Sequence, residues 1–221
     1  MNLTYDQDTK SALVPSPNTQ WDRDLGQDIK LVPSPKTLSD LRLFTMPEGG
    51  IDRLTFVVWD TIEVLGLGED RVELKGSYTI ERANPTDSDW ANASVDIVML
   101  EMSVTGFSQK FGPVHASLNN GIGKQSRGQV SSGTVYPDLV DSPKMCTMGG
   151  FMMFDLSAVP IKVFNKEKII LQHNITHIPP IGQGGGTQGR VAVNLYRVDD
   201  PEAPPVAVLR QVKTHIGAWR S

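Results

Sequence analysis

Four histidines and one cysteine are the side chains from which this chain could assemble a metal or nucleophilic centre. His173 and His177 stand four apart, a spacing that on a helix would set two imidazoles over one zinc ion. They share a phase with Ile169, Leu171 and Ile175, however, and alternation of that kind is the signature of a strand. Four strand residues span about 13 Å, too far for a single ion. A metal-dependent jelly-roll enzyme would therefore need three of His115, His173, His177, His215 and Cys146 to converge from separate segments, and no His-x-His pair of the cupin type is present. Cys146 has no histidine near it in sequence to activate a thiolate. Met145, Cys146, Met148, Met152 and Met153 form a soft cluster that could hold Cu(I), or could fill irregular gaps in a core.

Other residues could bind without reacting. Trp59, Trp90 and Tyr136 are candidates for lining a ligand site. Asp87 and Asp89 beside Trp90, and Asp199, Asp200 and Glu202, could hold calcium or a sugar, although ordinary turn chemistry explains such loop carboxylates equally well. The glycines of residues 182–189 lack the Gly-Lys-Ser/Thr ending of a phosphate loop, so they read as a hairpin loop or flap. No cofactor is expected.

Two charged residues break apolar rows. Asp60 falls in the phase of Leu54, Phe56, Val58, Ile62 and Val64, and Arg210 falls in the phase of Val206, Val208 and Val212. Burying either alone is costly, so the sequence predicts a structural ion pair between Asp60 and Arg210, with a ligand cavity lined by both as the alternative.

The elements that must position these residues read almost wholly as strands. Residues 53–82 form two long alternating runs joined by the turn at Gly66–Asp70, the first more central because its second face is mixed. Residues 94–105 are apolar in both phases, which marks an interior strand or a contact between subunits. Further strands are expected near 113–118, 144–154, 159–164, 168–178, 190–198 and 205–215, separated by an aperiodic stretch at 121–143 and the glycine loop. With 20 Gly and 15 Pro as punctuation, the fold class is all-β: an antiparallel β-sandwich or jelly roll of about nine or ten strands, with a barrel second.

Residues 1–45 differ. Leu-Val-Pro-Ser-Pro occurs at 13–17 and again at 31–35, and the paired prolines force extended backbone, so the segment reads as an arm preceding a single β-domain at 46–221. Only Thr37–Leu41 could start a short helix.

Composition bounds the function. The 21 basic and 25 acidic residues are interspersed and leave a net charge of −4, so no footprint for nucleic acid or an anionic membrane is visible. One cysteine excludes an internal disulfide framework. The first residues show neither a basic nor an apolar leader region, and no run approaches a membrane span, so a soluble, cytoplasmic protein is expected. The sequence favours a non-enzymatic β-sandwich acting by binding or self-assembly, as a homo-oligomer through the arm and residues 94–105. The alternatives are a small-molecule or glycan-binding protein, conceivably an enzyme, with its site at the 121–143 and 182–189 loops, and the metal enzyme above.

Overall fold

A computed structural model describes residues 46–119, 124–135 and 142–218, all within the unit Thr45–Ser221. The expected arm, its repeated Leu-Val-Pro-Ser-Pro strip, the helix start at Thr37 and Tyr136 lie outside the described residues. Among those described, no helix occurs and twelve strands follow one another: β1 (Gly50–Val64), β2 (Gly68–Arg82), β3 (Val95–Ser108), β4 (Gly112–Leu118), β5 (Arg127–Val130), β6 (Lys144–Gly150), β7 (Met152–Leu156), β8 (Ile161–Asn165), β9 (Ile169–Ile175), β10 (Gly184–Gly186), β11 (Val193–Arg197) and β12 (Ala207–Ala218).

The alternating runs at 53–82 become a hairpin whose register holds from Gly50 opposite Arg82 to Val64 opposite Gly68. Its turn needs a residue in the left-handed region, and Gly66 supplies it at φ 86°. Leu54, Phe56, Val58, Asp60, Ile62 and Val64 face inward from β1, as their shared phase predicts.

All pairings are antiparallel and the sheet closes on itself. β3 is long enough to serve two partners, β5 along Val95–Val98 and β4 along Ser103–Ser108. β12 does the same, pairing β11 along Ala207–Leu209 and β10 along Lys213–His215. One circuit therefore runs β1-β2-β3-β5-β6-β9-β10-β12 and back to β1, and the other runs β1-β2-β3-β4-β7-β8-β11-β12 and back. Each is a ring of eight strands, a size whose interior is filled by side chains or holds one small molecule. Closure also removes the exposed edges that an open sheet would present. The observed architecture is thus all-β and antiparallel, with the closure that the barrel option requires.

Two bulges settle which residues point inward. In β3, Thr79 faces Glu101 and Ile80 faces Met99, so Leu100 is an extra residue. The inward row switches there from Val95, Ile97 and Met99 to Met102 and Val104, while Leu100 and Glu101 turn out to solvent. The two-sided apolarity of residues 94–105 reflects this change of phase along the strand. In β12, Thr61 faces Gln211 and Ile62 faces Leu209, leaving Arg210 as the extra residue. The inward row becomes Leu209, Val212, Thr214 and Ile216, and Arg210 leaves it.

The strand count exceeds nine because two short strands hide in stretches without a periodic signal, β5 in the 121–143 stretch and β10 in the glycine loop, and because Phe151 divides 144–154 into β6 and β7. β10 is made of glycine for a steric reason. A Cβ on Gly185 would lie 2.4 Å from the Gln172 carbonyl oxygen and 2.5 Å from His173 Cγ, so only glycine lets this strand slip between β9 and β12.

Candidate functional site

The inward faces of β1, β2, β3, β5, β6, β9 and β12 line a partly open cavity. Its walls are apolar: Phe56, Ile80, Met99, Met148, Leu171 and Ile216 contribute from six strands. The space not filled by protein atoms is about 660 Å³ with its open mouth included, and the centre of a water molecule can move through about 60 Å³ of it. Two of the wall residues are methionines, whose flexible thioethers can give way to an occupant. A second, smaller space adjoins the first, sharing Phe56, Leu171 and Thr214, and is walled also by Met102, Met152 and Asp60.

Few polar groups reach this interior. Arg82 stands in the cavity wall with all of its guanidinium engaged: Nε donates to Asp52 Oδ2 at 2.5 Å, Nη2 to Asp52 Oδ1 at 3.3 Å and Nη1 to the Glu48 carbonyl at 2.7 Å. Tyr78 packs edge-on against Phe56 with ring centroids 4.7 Å apart, and burial pushes its phenol well above the ordinary range. Burial likewise pushes the Cys146 thiol up to about 12 and the His173 imidazole down. Cys146 and His173 are register partners on β6 and β9, but a thiol that stays protonated beside a neutral imidazole is not an activated nucleophile.

Asp60 is the exception to the pairing rule. It is 3% exposed, and burial alone raises its carboxyl from 3.8 to about 7. Among the described residues, two buried side-chain polar atoms lack a hydrogen-bond partner, Asp60 Oδ1 and His173 Nδ1.

The expected ion pair is not formed. Arg210 donates through Nε and Nη2 to Glu63 Oε2, at 2.8 and 2.6 Å, because the bulge carries it out of the inward row and onto the outer face of β1. Asp60 stays inward, opposite Val212, and lines the smaller space, whose walls do not include Arg210.

The remaining candidates disperse. Trp59 lies on the outer face of β1 and donates to Glu73 Oε2 at 3.0 Å. Trp90 is buried, its indole donating to the Ser142 carbonyl at 3.3 Å. His115 points outward from β4 to Ser103 Oγ at 3.1 Å, His177 lies beyond the end of β9 within 3.0 Å of the Ile181 carbonyl, and His215 faces solvent from β12. Only His173 and Cys146 meet, and no group of three or more His, Cys, Asp or Glu side chains suited to a metal ion occurs among the described residues. Cys146, Met148 and Met152 of the soft cluster turn inward as cavity wall, while alternation carries Met145 and Met153 to the other side of their strands.

The site expected at the 121–143 and 182–189 loops lies partly outside the described residues; beside β10 there is an open depression edged by Gln172, Asn174, Thr187 and Gln188. Among the described residues that edge it, none offers an aromatic ring on which a sugar face could stack. Among the described residues, no helix is long and apolar enough to cross a membrane.

Sequence reasoning missed Lys144. It is fully buried, and its Nζ donates to the carbonyls of Trp90 at 2.8 Å, Gly133 at 2.9 Å and Ala91 at 3.3 Å, pinning the loop before β3 to the segment after β5. Its only sequence signal is a cation in the inward phase of Cys146 and Met148.

No curated protein matches the chain. Among solved structures, DynF from the dynemicin biosynthesis pathway of Micromonospora chersina is similar, with 32% sequence identity and a TM-score of 0.73 over 80% of this chain and 84% of DynF. A family model matches residues 15–220, taking in every strand described above and most of the proline-containing segment. The chain accordingly belongs to DUF6073, a family of unknown function.

Proposed function

We propose that the protein binds a small, largely hydrocarbon molecule and encloses it inside the ring of strands. The observation that carries this reading is an interior cavity whose walls are aliphatic, aromatic and thioether side chains with a few polar groups among them. Ligand sites in proteins have walls of this composition. An ordinary core of this fold would close around such a space, because unfilled apolar volume costs stability. The similarity to DynF, a protein of a biosynthesis pathway, supports a small biosynthetic molecule as the ligand in preference to a polymer.

Titration with N-phenyl-naphthylamine, a neutral apolar dye that fluoresces when removed from water, tests the reading. One dye per chain should bind saturably with a blue-shifted emission. Met99→Trp, which fills the cavity from β3, should abolish binding while the protein still unfolds cooperatively. Emission that rises without saturation, or that survives Met99→Trp unchanged, would overturn it.

A further inference from the structure

Hydrocarbon walls explain why an apolar molecule would enter the interior, but they do not explain the two unpartnered polar atoms left inside it. Asp60 lines the smaller space, Thr214 lines both spaces and His173 lines the larger one. These residues form a track. Asp60 faces Val212, and Thr214 is the next inward residue of β12, so Asp60 and Thr214 are diagonal neighbours with Cα atoms on the order of 7–8 Å apart. Thr214 Oγ1 in turn lies 3.5 Å from His173 Nε2. That contact leaves His173 Nδ1 without a partner, as burial leaves Asp60 Oδ1.

We propose that this track is a recognition subsite for a neutral oxygen substituent, a ketone or hydroxyl, carried on the buried part of the hydrocarbon ligand. The proposal rests on the binding reading above and names what the ligand must bear. Removing water from a polar atom without replacing its hydrogen bond is costly, and a ligand oxygen hydrogen-bonded to Asp60 would replace it. A carboxyl that remains protonated donates to a ketone oxygen, and it can donate to or accept from a hydroxyl. The neutral His173 ring has one nitrogen of each sense, so it can serve a ligand acceptor or donor according to tautomer.

The same surroundings disfavour an anionic head group here. The smaller space is walled from β1, β3, β4, β7, β9 and β12, and Asp60 is the only ionisable side chain among its wall residues. In the adjoining space the ionisable groups are Tyr78, Cys146, His173 and Arg82, and Arg82 is already held by Asp52 and the Glu48 carbonyl. No free cation is therefore present, among the described residues of these walls, to receive a carboxylate.

The test is competition against N-phenyl-naphthylamine by heptane, dipropyl ketone and heptanoate, with each affinity referred to transfer from a hydrocarbon phase so that general hydrophobicity cancels. At pH 6 the full chain should prefer the ketone over heptane by about tenfold or more, and heptanoate should be the weakest. Asp60→Leu should erase the ketone preference while leaving heptane binding in place. Asp60→Asn, which keeps a donor that cannot ionise, should retain the preference and hold it constant as pH rises, whereas the natural protein should lose it above about pH 7. If heptane and ketone compete equally, or if the preference survives Asp60→Leu, the subsite is refuted and the hydrocarbon-binding reading stands. If neither heptane nor the dye binds, both readings fall.

Discussion

A carboxyl placed where Asp60 stands, inward on β1 between Val58 and Ile62 and across the ladder from Val212, is surrounded by hydrocarbon from six strands. Its rise from 3.8 to about 7 places up to about 4 kcal/mol at stake, at roughly 1.4 kcal/mol per tenfold change. The sign follows from proton counts. Between about pH 4 and 7 the unfolded chain has released this proton and the folded one retains it, so stability falls as pH rises through that window. Below the window both states are protonated and the cost vanishes; above it the full cost remains. Asp60→Leu should therefore be more stable than the natural protein at pH 8, by a margin that shrinks steadily towards pH 4. Urea unfolding at both ends of the range checks this, and a pH-independent margin would mean that Asp60 is ionised in the fold throughout.

At the scale of elements, two irregularities do the positioning. The β12 bulge sends Arg210 outward to Glu63, with both side chains 30% exposed. A pair so exposed is worth only about 1 kcal/mol or less. In double-mutant cycles, Glu63→Ala and Arg210→Ala should couple by that small amount, while Asp60→Ala and Arg210→Ala should add independently. Coupling of the second pair in place of the first would mean that the bulge is misplaced. β10 is the other irregularity. Gly185→Ala would drive a methyl group into the His173 ring and the Gln172 carbonyl, so β10 must move off β9. A loss of about 1–3 kcal/mol is expected, together with weaker dye binding because His173 lines the cavity. A variant as stable as the parent would show that β10 is not tightly held.

For the whole molecule, eight-stranded closure sets the interior width and the methionine-rich walls make it adjustable. A ligand that occupies only the folded form stabilises it by mass action, by about 2.7 kcal/mol at a hundred times its dissociation constant. Thermal unfolding in graded N-phenyl-naphthylamine should rise with dye concentration for the natural sequence and stay flat for Met99→Trp. A melting point unmoved at saturating dye would place the dye outside the folded interior.

Much of this molecule is legible in the chain itself. Alternation in 53–82 determines the long hairpin and its inward face, because the strand period of two assigns each side chain to a side once one buried row is known. The same reasoning singles out Asp60 and His173 as polar residues in apolar rows, and Asp60 lines the smaller interior space while His173 lines the larger. Periodicity fails where the period itself breaks. A bulge adds one residue and exchanges the two faces, so Arg210 and the second half of β3 could not be assigned without knowing which strand lies opposite. β5 and β10 carry no alternation, and they are strands only because β3, β6, β9 and β12 offer them unpaired backbone. Ring closure was likewise decided in three dimensions. It depends on β3 and β12 each serving two partners, a non-local pairing that leaves no mark in local sequence, and the cavity is a consequence of that closure.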